Sequence, residues 1–120
     1  IVNKTKTCIE FENINAINVF TVIIDKMNLL DVGFVKLDVE GHEISVLKGM
    51  KETIKKFRPN FLIETEDRHG GGGIKGIFEF MRDFDYSAYV VTNSRLKKVS
   101  QKKYTLMYED KKAFNAIFLS

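Results

Sequence analysis

Residues 34–50 read FVKLDVEGHEISVLKGM: an apolar run, a knot of ionisable side chains, then apolar residues returning at helical spacing. The run Gly33–Val39 is compact and apolar with Lys36 inside it, the pattern of a fully buried strand. Beyond it, Ile44, Leu47, Met50, Ile54 and Phe57 recur near one face of a single amphipathic helix. Arg58–Pro59 ends that helix, because the residue before a proline avoids the helical region. Lys36, Asp38, Glu40, His42 and Glu43 therefore gather where a strand gives way to a helix.

Upstream, Thr7–Ile14 alternates weakly and reads as a short strand, and the β-branched Ala16–Ile24 as a second. Asp25 opens a short helical piece that brings Met27 and Leu30 to one side. Downstream, Asn60–Glu66 is another apolar run closing on acids, again a buried strand. DRHGGGG follows as a turn, and Ile74, Ile77, Phe78, Met81 and Phe84 mark a helix over 74–84. Tyr86–Thr92 reads as a strand, NSRLKKVSQKK as a polar excursion and Ala113–Ser120 as a final strand. Strands alternating with helices over short connections predict an α/β fold, its first strands parallel with right-handed crossovers. The last two strands have no helical pattern between them, so they are expected to pair antiparallel. No linker divides residues 1–120, which predicts one domain.

A chain of 120 residues, 44% hydrophobic and 29% charged, can bury a core and is not a disordered composition. The net charge of +3 is modest. Its densest basic stretches, Arg95–Tyr104 and Lys55–Arg58, read as solvated faces, so a nucleic-acid partner is not expected. A basic binder would use Lys97, Lys98, Lys102 and Lys103 with Tyr104 and Tyr108, two tyrosines that fit better as packing a strand. The single cysteine, Cys8, allows neither an internal disulfide nor a CxxC zinc site, and a reducing cytoplasm is the simplest compartment. No apolar run approaches a membrane span, and residues 1–10 carry no secretory pattern. They also lack an initiator methionine, so a fragment or processed chain is an expectation.

In a parallel α/β sheet, ligands bind beyond the carboxyl ends of the strands. Asp38, Glu40 and Glu43 follow one strand; Glu64, Glu66 and Asp67 follow another. If the two strands are neighbours, Asp38 and Glu64 share a lip, where carboxylates can accept hydrogen bonds, act as a base or hold a metal. Glu43 reads better as helix-start chemistry. Lys36 and Asp38, two apart on a strand, face the same side. As a pair they would orient the carboxylate and lower its pKa; the alternative is a lysine reaching to water. His42 and His69 each follow an acid-tipped strand, and either could be a base, a ligand or a surface residue. HGGGG lacks the Gly-Lys-Ser/Thr of a phosphate loop.

VGFVKLDVEGHEISVLKGMKETIKKFRPNFLIETE resembles the signature of FkbM-type methyltransferases: Ile/Val-Lys-x-Asp-Val-Glu-Gly, x-Glu, a Leu-x-Gly-Ala/Met helix, a proline and a strand ending in Glu. VFTVIIDKMN is similar to the family's Thr-Leu-Asp-Asp segment, with Asp25 at its aspartate. FDYSAYVVTN and FNAIFLS are similar to its Gly-Tyr and terminal Asn-x-x-Phe strands, so the likeness runs over Phe20–Ser120. It implies a class I, Rossmann-like, S-adenosylmethionine-dependent fold in which Gly33–Val39 is the fourth strand and Asn60–Glu66 the fifth. The final pair would be the sixth and seventh, the last antiparallel. It also implies O-methylation of a sugar or other small hydroxylated metabolite.

The family's glycine-rich cofactor turn and the acid after its second strand have no counterpart here. The chain therefore resembles the C-terminal half of such an enzyme, and no cofactor-binding residue is assigned. On the resemblance, Asp38 is expected as base or orienting carboxylate with Lys36 as its partner, and His69 as a weaker base. Glu40 and Glu64 are expected to hydrogen-bond the substrate or the cofactor's amino acid end. A half sheet exposes the flank of its first strand, which favours a homo-oligomer or pairing by the N-terminal strands. The alternative is a non-catalytic half domain retained for binding or assembly.

Overall fold

The computed structural model describes residues 18–65 and 73–120. The segment Thr7–Ile14, the first residues of Ala16–Ile24, and Glu66, Asp67 and His69 lie outside them. A 3-10 turn at Ile24–Met27 leads into β1 (Phe34–Leu37), α1 (Glu43–Lys48), α2 (Lys51–Phe57) and β2 (Asn60–Glu64). Then follow α3 (Gly73–Asp83), β3 (Ser87–Thr92), β4 (Arg95–Lys98), α4 (Gln101–Glu109) and β5 (Asn115–Leu119). The fold is α/β, as expected: a mixed sheet in the order β1-β2-β5-β3-β4, with flanking helices.

β1 and β2 are parallel, with Leu37 opposite Ile63. β5 lies antiparallel to both β2 and β3, pairing Phe118 with Phe61 on one side and with Ala88 on the other. The side chains that share this face, Phe61, Ile63, Ala88, Val90, Ala116 and Phe118, are all buried. They join Leu47, Met50, Ile54, Ile77, Phe78, Met81 and Tyr104 of the helices in one core. Phe78 of α3 meets the rings of Phe118 and Tyr104 at 5.2 and 5.1 Å. On the opposite face Leu62, Tyr89 and Ile117 are only half buried.

Three expectations are corrected. β1 is a sheet edge among the described residues, not a fully buried strand: Phe34 and Lys36 are exposed and only Leu37 is buried. Within Ala16–Ile24, residues 18–23 form no strand, because β-branched residues favour extended backbone but a ladder also needs a neighbour. The polar excursion after Thr92 is a hairpin and a helix. Asn93 and Ser94, with φ of 50° and 59°, turn β3 into β4 with left-handed residues at both central positions, the twist that a two-residue hairpin prefers. Ser100 then caps α4 by accepting a hydrogen bond from the Lys103 amide. β3 and β5 do pair antiparallel, but across that helix.

The expected single helix over 43–57 is two helices, and Asp25 is the cause. The Asp25 amide donates to the Gly49 carbonyl at 3.0 Å. Its carboxylate accepts from the amides of Glu52 and Thr53 and from the Thr53 hydroxyl at 2.8–3.1 Å. Groups that would have continued the helix ladder are thus satisfied from outside, and the chain breaks at Gly49–Met50. Burial pushes the Asp25 carboxyl up, but the Thr53 and Glu52 amides and the Thr53 hydroxyl outweigh it and hold it below 3.8. A depressed pKa stabilises the fold above the unfolded value, and that stability is lost as the pH falls through the folded one. Asp25→Ala is expected to cost about 1–2 kcal/mol in urea unfolding at pH 7, the range for a lost helix cap. Asp25→Asn should flatten the stability loss below pH 3.8; an unchanged acid limb would remove Asp25 from this role.

Candidate functional site at the carboxyl ends of β1 and β2

Because β1 and β2 are parallel neighbours, both chains leave the sheet at the same end, and their acids converge there. A cleft of about 230 Å³ is lined by Asp38, Glu40, Glu43, Glu64, Thr65, Tyr108 and Phe114. Among the described residues no basic side chain lines it. Asp38, Glu40 and Glu64 are thus brought together; His42 does not line the cleft, and His69 lies outside the described residues.

Lys36 Nζ donates to Asp38 Oδ2 at 2.8 Å. The pair is exposed, with 55% and 40% of the two side chains open to solvent, so it orients more than it stabilises. The hydrogen bond from Lys36 to Asp38, then the charge of Asp38, raise the Lys36 pKa. Lys36 engages Oδ2 alone among the two Asp38 oxygens.

After Asp38 the backbone makes a tight turn through left-handed Glu40 (φ 52°) and Gly41 (φ 91°). The turn is closed by Glu43, whose Oε1 accepts from the Gly41 amide at 3.2 Å. Glu43 is only 3% exposed although it opens α1. It shapes the loop that presents Glu40 and lines the cleft, more than the helix-start chemistry read from its position.

The opposite wall was not legible as such. Tyr108 of α4 and Phe114 before β5 meet edge to face, centroids 5.7 Å apart. Below them the Thr65 amide donates to the Phe114 carbonyl at 2.8 Å, extending the ladder between β2 and β5. The Thr65 hydroxyl shares a 2.7 Å hydrogen bond with Tyr104, which is wholly buried. One helix turn apart, Tyr104 and Tyr108 tie α4 to the cleft floor and to its aromatic wall. Tyrosines at i and i+4 were the available signal, masked by the lysines around them. The cleft is therefore acid on one side and aromatic on the other, suited to hydroxyl or cationic groups on an apolar frame. Among the described residues no grouping of three His, Cys, Asp or Glu is spaced to hold a metal ion.

The family model described as the methyltransferase FkbM domain matches residues 5–88. The chain belongs to the FkbM methyltransferase family. The match takes in β1, both helices after it, β2 and α3, with Asp38, Glu40, Glu43, Glu64 and Thr65. β4, α4 and β5, with Tyr104, Tyr108 and Phe114, follow the matched region. No curated protein and no solved structure matched the chain. Of this FkbM domain, no described helix is long and apolar enough to cross a membrane.

Burial pushes the Tyr104 hydroxyl up to about 12, against an ordinary 10.0, and the Thr65 hydrogen bond pulls it back only in part. The stability this contributes is intact below pH 10 and disappears as the pH rises through the folded value. Tyr104→Phe should cost about 0.5–1.5 kcal/mol at pH 7, the net worth of one hydrogen bond. It should also shrink the alkaline loss of stability between pH 10 and 12. Tyr86, raised by burial as well, keeps part of that slope. An alkaline limb identical to the native one would show that Tyr104 stays reachable by solvent.

Proposed function

We propose that this FkbM domain methylates an oxygen of a small hydroxylated acceptor, a sugar or comparable metabolite, with S-adenosylmethionine as donor. The observation that carries the reading is the cleft where Asp38, Glu40 and Glu64 meet at the carboxyl ends of two parallel strands in a chain of this family. The antiparallel β5 supports taking β1, β2, β3 and β5 as strands four to seven of a class I sheet, with β4 added at the edge. S-adenosylmethionine supplies an electrophilic methyl group when bound. No residue among the described ones is assigned to the cofactor. The chemistry derived from them is that of the acceptor side.

On that side, Asp38 receives the acceptor hydroxyl at Oδ1 while Lys36 fixes the carboxylate through Oδ2. A carboxylate is a weak base toward an alcohol, so its use depends on removing the proton as the oxygen loses electron density to its new bond. Glu40 and Glu64 accept hydrogen bonds from neighbouring hydroxyls and set which oxygen is presented, where positioning supplies much of the rate. Tyr108 and Phe114 cover the apolar face of the acceptor. Among the described residues the outer side of β1 has no strand neighbour and Phe34 is 61% exposed, which supports completion of the sheet by a further strand, as in a homo-oligomer.

A second reading is a non-catalytic binding or assembly module, which the edge position of β1 among the described residues also suits. The two separate in one series on the natural gene product: calorimetry with S-adenosylmethionine, then radiolabelled methyl transfer to a panel of sugars. The catalytic reading expects saturable cofactor binding and transfer, with Asp38→Asn lowering turnover about 10²–10⁴-fold, the share of a positioned base. Lys36→Met should change the acid limb of the pH profile without abolishing binding. Absent cofactor binding would favour the module, and native turnover in Asp38→Asn would remove Asp38 from the mechanism.

A further inference from the structure

The β4–α4 segment, beyond the matched family region, concentrates positive charge without balancing it. Arg95, Lys97, Lys98, Lys102 and Lys103 are all exposed. Among the described residues none of their side chains makes an ion pair or hydrogen bond. Two of them, Lys102 and Lys103, occupy the first turn of α4, which holds no acid. Cations at a helix N-terminus oppose the helix dipole, so this placement costs stability unless an anion sits against it.

A second observation falls at the same place. Thr92 Oγ1 is closed to solvent and has no hydrogen-bond partner, the one such side-chain atom among the described residues. A buried hydroxyl without a partner carries a desolvation penalty and calls for a bound group. Thr92 lines a cleft of about 140 Å³ with Lys97, Lys98 and Lys103, over an apolar floor of Val90 and Met107. The register explains the convergence. Lys97 stands opposite Val90 and Arg95 opposite Thr92, so these four share one face of the hairpin, and α4 brings Lys103 to it.

We propose that this cleft binds one phosphate-type oxyanion carried by a small molecule. Lys97 and Lys103 supply charge from two elements, and the Thr92 hydroxyl donates the hydrogen bond it otherwise lacks. The volume holds a single tetrahedral group. Tracking a nucleic-acid backbone needs an extended groove with stacking rings, and here the α4 tyrosines are turned to the core and to the acidic cleft.

The test is thermal unfolding and amide NMR of the 120-residue chain titrated with inorganic phosphate, against sodium chloride at matched ionic strength. Phosphate stabilises most proteins by exclusion, so the variants decide. The native chain should show a saturable rise in Tm, with shifts confined to the amides around Thr92, Lys97 and Lys103. Lys97→Gln and Lys103→Gln should each weaken the apparent affinity about tenfold, the loss of one charge-assisted hydrogen bond. Thr92→Val should raise Tm without phosphate, because it removes an unsatisfied hydroxyl, and lose most of the phosphate response. Equal phosphate responses in all four proteins, or shifts scattered over every lysine, would overturn the site. Tighter, steeply salt-dependent binding of a twelve-nucleotide single strand than of phosphate would overturn the small-molecule assignment.

Discussion

Phe118 faces Phe61 on one neighbouring strand and Ala88 on the other, and this double pairing of β5 is what the sheet depends on. β2 and β3 do not touch as strands; β5 lies between them and satisfies the backbone of both. The helices then close over the buried face through the Phe78, Tyr104 and Phe118 rings. The cleft wall follows from the same strand, since the chain entering β5 carries Phe114 into place and accepts the Thr65 amide. Removing β5 would undo the sheet, the core and the site in one step.

Much of this was legible. The apolar runs before Asp38 and Glu64 mark the two parallel strands, and the stripe Ile74, Ile77, Phe78 and Met81 marks α3 and its buried face. What could not be read was context. β1 has the apolar composition of a central strand but lies at an edge, because composition reports hydrophobicity and not the number of neighbours. Asp25 looks from sequence like the opening of its own short helix. Its carboxylate caps α2 about a full strand-and-helix unit later, a long-range substitution for local capping. α4 was hidden because its lysines dilute the apolar face that Tyr104 marks, and its hairpin carries Asn-Ser in place of the more telling Asn-Gly.

The candidate site shows the same division. Strand ends supplied Asp38, Glu40 and Glu64, because acids at carboxyl ends are a local signal. Thr65, Tyr108 and Phe114 became visible only with the packing, since α4 and the chain entering β5, late in the sequence, supply the aromatic wall. The acids come from the region the family model matches and the aromatics from the region that follows it.

The central position of β5 also has a consequence for the order of events in synthesis. On the ribosome, β1 and β2 can pair as soon as both emerge, and β3 can fold back on β4. Until residues 115–119 are made, however, the facing edges of these two ribbons stay open, joined only by contacts such as the Phe61 and Tyr86 rings and the Tyr86 hydroxyl on the Pro59 carbonyl. The sheet cannot close stepwise from its first strand, and its contacts span long stretches of sequence, a topology that folds slowly. Phe61 and Ala88 therefore each lack one strand neighbour from their own emergence until β5 is made, the period in which a chaperone would matter most.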